Sequence, residues 1–243
     1  HALRGDLLLN GLETMLEENF VKQRQALIRS LISQRILRSS NVIRAMEAVP
    51  REKFILEEYR RSAYIDTPLP IGEGQTVSAP HMVAIMLEEL DLKKGLNVLE
   101  IGAGSGYSAA LMAEIVEPTV SDLNKGHVTS IERVPELINF ARDNLKRTGY
   151  SDRVSIVFGD GTLGYPERSK EMLYDRIVVT AAAPHIPVYL RAQLNKNGII
   201  LVPVGDTFMQ TLIKATKYEE KMEFREVCNC MFVPLIGEDG FRF

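Results

Sequence analysis

The stretch Val98-Leu99-Glu100-Ile101-Gly102-Ala103-Gly104-Ser105-Gly106-Tyr107 constrains the fold more than any other part of the chain. A short apolar run ends in alternating glycines and then opens a helical pattern. Glycine tolerates positive φ and carries no Cβ, and the first N–H groups of a helix bear partial positive charge, so such a loop lets a ligand approach bare backbone. From Asn97 onward short apolar runs alternate with helical ones, which predicts βαβ units and a parallel sheet. Strands are expected at Asn97 to Ile101, His127 to Ile131, Val154 to Val157, Arg176 to Thr180 and Gly198 to Val202. Helices are expected between them at Tyr107 to Val116, Pro135 to Arg147 and Pro187 to Leu194. Two alternating stretches, Met209 to Thr216 and Glu223 to Val233, are expected to pair antiparallel at the sheet edge. The fold class is α/β: a mostly parallel, doubly wound, Rossmann-like sheet.

Ahead of the sheet, Leu12, Leu16, Phe20, Leu27, Leu31 and Ile32 recur at helical spacing, which predicts a helical cap over residues 9 to 48. Asn41 is the expected amino cap of a shorter helix ending at Ala48. Pro50, Pro68, Pro70, Gly72 and Gly74 then break the periodicity, so residues 50 to 77 are expected to be extended and rich in turns, leading into a helix from Pro80 to Leu90. The expected division is a cap and substrate-side segment over residues 1–77 and a catalytic domain over 78–243, packed as one compact unit.

With 243 residues and 45% hydrophobic content the chain can bury a full core. Its 29 basic and 32 acidic residues leave a net charge of -3, which gives no bulk attraction for nucleic acid or a membrane surface. Apolar runs such as Ile199 to Val204 fall short of the roughly 20 residues of a membrane helix, and no cationic segment precedes an apolar run at the amino end, so a cytoplasmic location is expected. Cys228 and Cys230 are too few for a zinc site without histidines, and a disulfide between them would be strained. No metal is expected, and the cysteines are read as strand-face residues.

The loop spacing is G-x-G-x-G rather than the dinucleotide G-x-G-x-x-G, and Glu100 stands two residues before the first glycine. A carboxylate there would repel a pyrophosphate and would suit the ammonium end of S-adenosylmethionine, directly or through water. The expected cofactor is therefore a methyl donor. Glu132, in Ser130-Ile131-Glu132-Arg133, follows the next strand and can accept from both ribose hydroxyls, or it is simply an acid opening a helix. Asp160, in Gly159-Asp160-Gly161, can accept from an adenine amino group, or it serves an Asx turn.

The chain carries, in this order, the segment from Pro68 through Gln75-Thr76-Val77-Ser78-Ala79-Pro80-His81-Met82, the glycine loop from Leu99 to Gly106, Ile131-Glu132-Arg133, Gly159-Asp160-Gly161, Thr180 to Pro184, Pro203 to Gly205 and Phe232 to Leu235. Together these motifs resemble the protein L-isoaspartate (D-aspartate) O-methyltransferases. The similarity runs from about Ser39 to Phe241. Generic methyltransferases would share only the glycine loop and the acid after the second strand. One departure is Glu117 to Gly126, which places Glu132 30 positions after Gly102 and is read as a surface insertion.

The resemblance implies a class I S-adenosylmethionine-dependent methyltransferase that leaves S-adenosylhomocysteine and uses no metal. Its substrate would be the α-carboxylate of L-isoaspartyl residues, and of D-aspartyl residues, in damaged proteins and peptides, with the methyl ester collapsing to a succinimide. A monomer without nucleic-acid or membrane partners is expected. Ser78 is carried over as the catalytic residue that aligns the substrate carboxylate; the same serine, before Ala79-Pro80, is also a good helix cap. The cofactor-site residues carried over are Thr76, Val77, Ser78, His81, Glu100, Gly102, Ala103, Gly104, Ser105, Glu132, Arg133, Gly159, Asp160, Gly161 and Gln210. The alternatives are an S-adenosylmethionine-dependent enzyme acting on another carboxylate, a small molecule or RNA, and a cofactor-binding regulator without turnover.

Overall fold

The structure is a computed structural model that describes residues 2–118, 125–219 and 221–242, with side chains described from residue 14 onward. The chain begins with helices α1 (Ala2–Ser33) and α2 (Ser40–Ala48), followed by 3-10 turns at Arg51–Phe54 and Glu57–Ser62. A hairpin of β1 (Leu69–Gly72) and β2 (Gln75–Val77) leads into α3 (Pro80–Leu90). The sheet unit then runs β3 (Asn97–Ile101), α4 (Tyr107–Val116), β4 (His127–Glu132), α5 (Pro135–Thr148), β5 (Val154–Phe158), β6 (Tyr174–Val179), α6 (Val188–Gln193), β7 (Leu194–Gly205), β8 (Gln210–Tyr218) and β9 (Lys221–Cys230).

The sheet order is β5-β4-β3-β6-β7-β8-β9. The strands from β5 to β7 pair in parallel, and β8 and β9 are antiparallel. This is the expected doubly wound architecture with an antiparallel edge. The strands that end in the glycine loop, Glu132 and Gly159 are adjacent, so these residues meet at one carboxyl edge, where open α/β sheets bind ligands.

Alternation along the strands divides the core. Val98, Val128, Val178 and Leu201 face α3, α4 and the cap, whereas Leu99, Ile101, Ile177 and Ile200 face the opposite layer. The cap has no separate core: the first cluster is continuous from Phe20, Leu31 and Phe54 to Leu111 and Leu212. Of the apolar stripe expected on α1, Phe20 and Leu31 are buried and Leu27 packs against the core, while Leu16 and Ile32 are 38% and 41% exposed. Leu12 lies outside the described side chains, and residues 119–124 of the expected insertion lie outside the described residues.

One local expectation is corrected. Asn41 is not the cap of α2; Ser39 occupies that position, and Asn41 lies inside the first turn, donating from Nδ2 to the Leu92 carbonyl at 2.8 Å. Residues 50–77 are turn-rich and extended as expected, and the extended part is a hairpin. The hairpin closes on Glu73-Gly74 with φ of 51° and 67°, a pair of positive values that suits the twist of a two-residue hairpin and aims β2 at the carboxyl edge of the sheet.

Glu88 on α3 fixes the approach of the cap. Its carboxylate accepts from the Arg38 and Ser39 backbone N–H groups, both at 2.8 Å, and from the Ser39 hydroxyl at 2.6 Å. Its side chain is 3% exposed, while Arg38 is exposed and Ser39 partly buried. Glu88→Ala is expected to lower stability by about 1–3 kcal/mol, measured as a reduced urea midpoint, because two backbone N–H groups and a hydroxyl lose a charged acceptor.

Candidate active site

Two cavities adjoin at the carboxyl edge of the sheet. The first lies beneath Gly102, Gly104, Glu132, Arg133, Gly159 and Gly161. The second lies beside Ser78, Ala79, His81, Met82 and Cys230. Thr76, Thr180 and Val233 line both. Both are open to solvent on one side.

The glycine loop is held from both sides. Gly102, Gly104 and Gly106 have φ of 97°, 54° and 82°. A Cβ on Gly102 would come within 2.5 Å of the Thr180 hydroxyl, which itself donates to the Ile101 and Gly102 carbonyls. From the other side Glu132 accepts the Gly104 N–H at 3.0 Å on one oxygen, and the Arg133 and Val134 N–H groups on the other. Glu132 therefore lines the first cavity with part of its acceptor capacity already in use. Gly161 is required by packing, since a Cβ there would lie 2.2 Å from Ile101 Cγ2.

Other expected site residues are placed behind the walls. Val77, Ala103 and Ser105 are buried, and the Ser105 carbonyl accepts from Asn144. Asp160 receives the Thr162 N–H and hydroxyl on Oδ1 and the Glu238 N–H on Oδ2. It works as the Asx-type cap of the turn Gly161–Leu163 and as an anchor for the carboxyl-terminal segment. Gln210 is 2% exposed and spans Asp206 and Phe232, donating to the carbonyl of the first and accepting the N–H of the second. The structure brings together Thr76, Gly102, Gly104, Glu132, Arg133, Gly159 and Gly161 in one cavity and Ser78 and His81 in the next.

Glu100, expected to meet the ammonium end of the methyl donor directly or through water, stands behind the cavity wall. Its carboxylate is fully buried on the face of β3 toward α4 and is absent from the cavity wall. Oε2 accepts from the Ser130 hydroxyl at 2.5 Å, and Oε1 has no partner among the described residues. Burial pushes this carboxyl up to about 8, the nearby Glu132 charge adds to the rise, and the Ser130 hydrogen bond opposes it.

Ser78 is not the cap of α3. Ala79 holds that position, with Pro80 at the first turn, and the Ser78 hydroxyl has no hydrogen-bond partner among the described residues. His81 is fixed by Asp66, whose Oδ1 accepts the His81 backbone N–H at 2.9 Å and lies 2.9 Å from Nδ1. Cys230 contributes a thiol to the second cavity, pushed up to about 12 by burial, and both cysteines are free.

Sequence reasoning left out the carboxyl-terminal strap. Val233 to Ile236 crosses the end of β6, with the Ala182 N–H donating to Val233 and the Leu235 N–H donating to Ala182, and it roofs the first cavity. Gln75, Val134 and Leu137 also line that cavity. The only signal for the strap was the motif Phe232 to Leu235.

A sequence model of the protein-L-isoaspartate(D-aspartate) O-methyltransferase family matches residues 22–240. The chain belongs to that family. It is 54% identical over 228 residues to the protein-L-isoaspartate O-methyltransferase of Hyperthermus butylicus, covering 93% of each chain. It is 51% identical to that of Staphylothermus marinus, covering 93% of this chain and 100% of the other. A Plasmodium falciparum structure assigned to the same enzyme, in complex with S-adenosyl-L-homocysteine, aligns with a TM-score of 0.78 at 32% identity over 88% of this chain and 98% of its own. Family membership agrees with the bare glycine loop, the Gly161 cradle and the uncommitted acceptor on Glu132, which together fit an adenosyl ligand. Among the described residues no group of three His, Cys, Asp or Glu side chains could hold a metal, and no helix is long and apolar enough to cross a membrane.

Glu100 generates a pH prediction for the ligand-free protein. In the fold its carboxyl keeps a proton up to about pH 8, whereas the unfolded chain loses that proton near 4.5. Stability is therefore expected to fall as pH rises between these values and to level off above them. Glu100→Gln should remove this contribution, so that its stability relative to the parent improves by a few kcal/mol from pH 5 to pH 8 in urea titrations.

Proposed function

We propose that this protein transfers the S-adenosylmethionine methyl group to the α-carboxylate of L-isoaspartyl residues in damaged proteins and peptides. D-aspartyl residues are a second substrate class by the family description. The observation that carries the reading is the pair of cavities sharing Thr76, Thr180 and Val233, one built on the glycine loop and the other on Ser78. S-adenosylmethionine supplies a methyl group on a positively charged sulfur, already electrophilic.

The chain's own task is then positioning. A carboxylate with an ordinary pKa near 4 is ionised at neutral pH, so no general base is needed. In this reading the Ser78 hydroxyl, without a hydrogen-bond partner among the described residues, donates to one carboxylate oxygen and leaves the other directed at the shared wall. Glu132 holds the glycine loop in place and accepts from the ribose; Gly159 and Gly161 let the backbone meet the adenine. His81, steered by Asp66, forms the substrate-side wall. The Val233–Ile236 strap excludes water, which favours in-line approach and strengthens each hydrogen bond. Methyl esterification of the isoaspartyl carboxylate prepares the succinimide whose opening restores some normal aspartate.

The test offers an isoaspartyl peptide and its aspartyl twin with radiolabelled methyl donor. Base-labile label is expected on the first alone; no label on either, with S-adenosylhomocysteine binding intact, would overturn the proposal, and label on a small carboxylate in their place would redirect it. Ser78→Ala is expected to lower kcat about a hundredfold while the Kd for S-adenosylhomocysteine stays within about twofold. Parallel loss of both would show that Ser78 only shapes the wall.

A further inference from the structure

The Ser78 cavity has no lysine or arginine in its wall among the described residues, although the substrate proposed above brings a carboxylate into it. A guanidinium stands behind that wall. Arg51 is 0% exposed, and its Nη2 donates to the Ser78 carbonyl at 2.8 Å while Nε donates to the Ala63 carbonyl at 2.8 Å. Its carbon lies 5.0 Å from the Tyr107 ring centroid. Nη1 is buried with no hydrogen-bond partner among the described residues.

All these acceptors are neutral. The carboxylates nearby are engaged elsewhere: Glu52 binds Arg24 and Tyr64, and Asp66 binds His81. A buried charge without a bonded counter-ion is costly. Burial lowers the Arg51 pKa, yet arginine keeps its proton even then. The Ser78 carbonyl that takes the Arg51 hydrogen bond belongs to the same peptide group as the Ala79 N–H, and Ala79 is itself part of the cavity wall.

We propose that Arg51 is the charge that holds the isoaspartyl carboxylate at Ser78, attracting the anion through the peptide group that it polarises. A hydrogen bond accepted at the Ser78 carbonyl makes the Ala79 N–H a stronger donor, so the anion meets a hydroxyl and a sharpened amide with a positive charge behind them. Arg51 is thus a positioning residue that does not touch substrate. The inference rests on the methyl-transfer reading, and it explains how a cavity with no basic side chain in its wall would select an acid.

The test compares two peptides bound to the protein saturated with S-adenosylhomocysteine: an isoaspartyl peptide with a free α-carboxylate and its isoasparaginyl counterpart with a carboxamide there. The parent protein is expected to prefer the carboxylate at least about tenfold, a factor within reach of one charge pair at short range in a protein interior. Arg51→Met should abolish that preference, weakening the carboxylate peptide about tenfold and leaving the carboxamide peptide and S-adenosylhomocysteine within about twofold. Arg51→Lys should recover part of the preference. Equal weakening of both peptides would make Arg51 a support of the wall and overturn the proposal, as would a parent protein without preference. Should Arg51→Met fail to fold, salt titration of the parent decides: a preference that survives 1 M salt supports a buried charge, and one that vanishes overturns it. Methylation of the isoaspartyl peptide by the parent separates the two readings, because it can persist when the Arg51 proposal fails.

Discussion

The hydrogen bond from the Gly104 N–H to Glu132 is the contact on which the ligand edge of this protein depends. It joins the loop after β3 to the end of β4, and it forms only because those strands lie parallel and in register from Asn97 opposite His127 to Ile101 opposite Ile131. A slip of one residue would turn Glu132 to the other face of the sheet and free the loop. The Thr180 hydroxyl, arriving from the strand on the other side, secures the carbonyls of the same loop. The loop can thus keep left-handed backbone at Gly102, Gly104 and Gly106 without closing over the cavity. The glycine N–H groups are themselves engaged, Gly102 with the Ile131 carbonyl, Gly104 with Glu132 and Gly106 with the Ala103 carbonyl.

Acids and amides near the edge hold the chain around the cavity. Glu132 lines the cavity and secures the loop, whereas Asp160 and Gln210 spend their hydrogen bonds on other parts of the chain. Asp160 pins the strap at Glu238, and Gln210 joins the β7–β8 turn to Phe232 just ahead of the strap. Both therefore act on the first cavity through Val233 to Ile236, the segment that roofs it. Loss of the Asp160 carboxylate or of the Gln210 amide would loosen that roof.

The order of strands and helices was legible because each sheet element carries its own period and its own stop signal: Pro135 starts α5 and Gly149, at φ 80°, ends it. The site was legible as positions along the chain, since the glycine loop, Glu132 and Gly159 each stand at or just after the end of a strand. Side-chain direction was less so. Glu100 shares its strand face with Val98 and Ser130, a consequence of the two-residue period that places it under the loop and away from the cavity. The strap escaped sequence reasoning for a different reason: its pairing with Ala182 bridges about 50 positions through isolated contacts, and no local period announces it. The same holds for Arg51, whose partners Ala63 and Ser78 are set by the folding of two 3-10 turns and a hairpin.

The amino-terminal cap acquires a purpose from these long-range contacts. Tyr64 is its hub: the hydroxyl accepts from Arg24 Nε on α1 and from the Arg51 N–H, and donates to Glu52. Arg24 completes the group by binding Glu52 and by lying 5.7 Å from the centre of the Tyr64 ring. Glu52 and Arg51 are neighbours in one 3-10 turn, so whatever neutralises the first also fixes the backbone that carries the second. A buried polar cluster of this kind contributes little net stability compared with apolar packing of the same volume, but it tolerates few alternative geometries. Helix α1 therefore does more than cover apolar surface. Through Arg24, Tyr64 and Arg51 it fixes the Ser78 carbonyl, although more than 50 residues separate Arg24 from Ser78 in sequence.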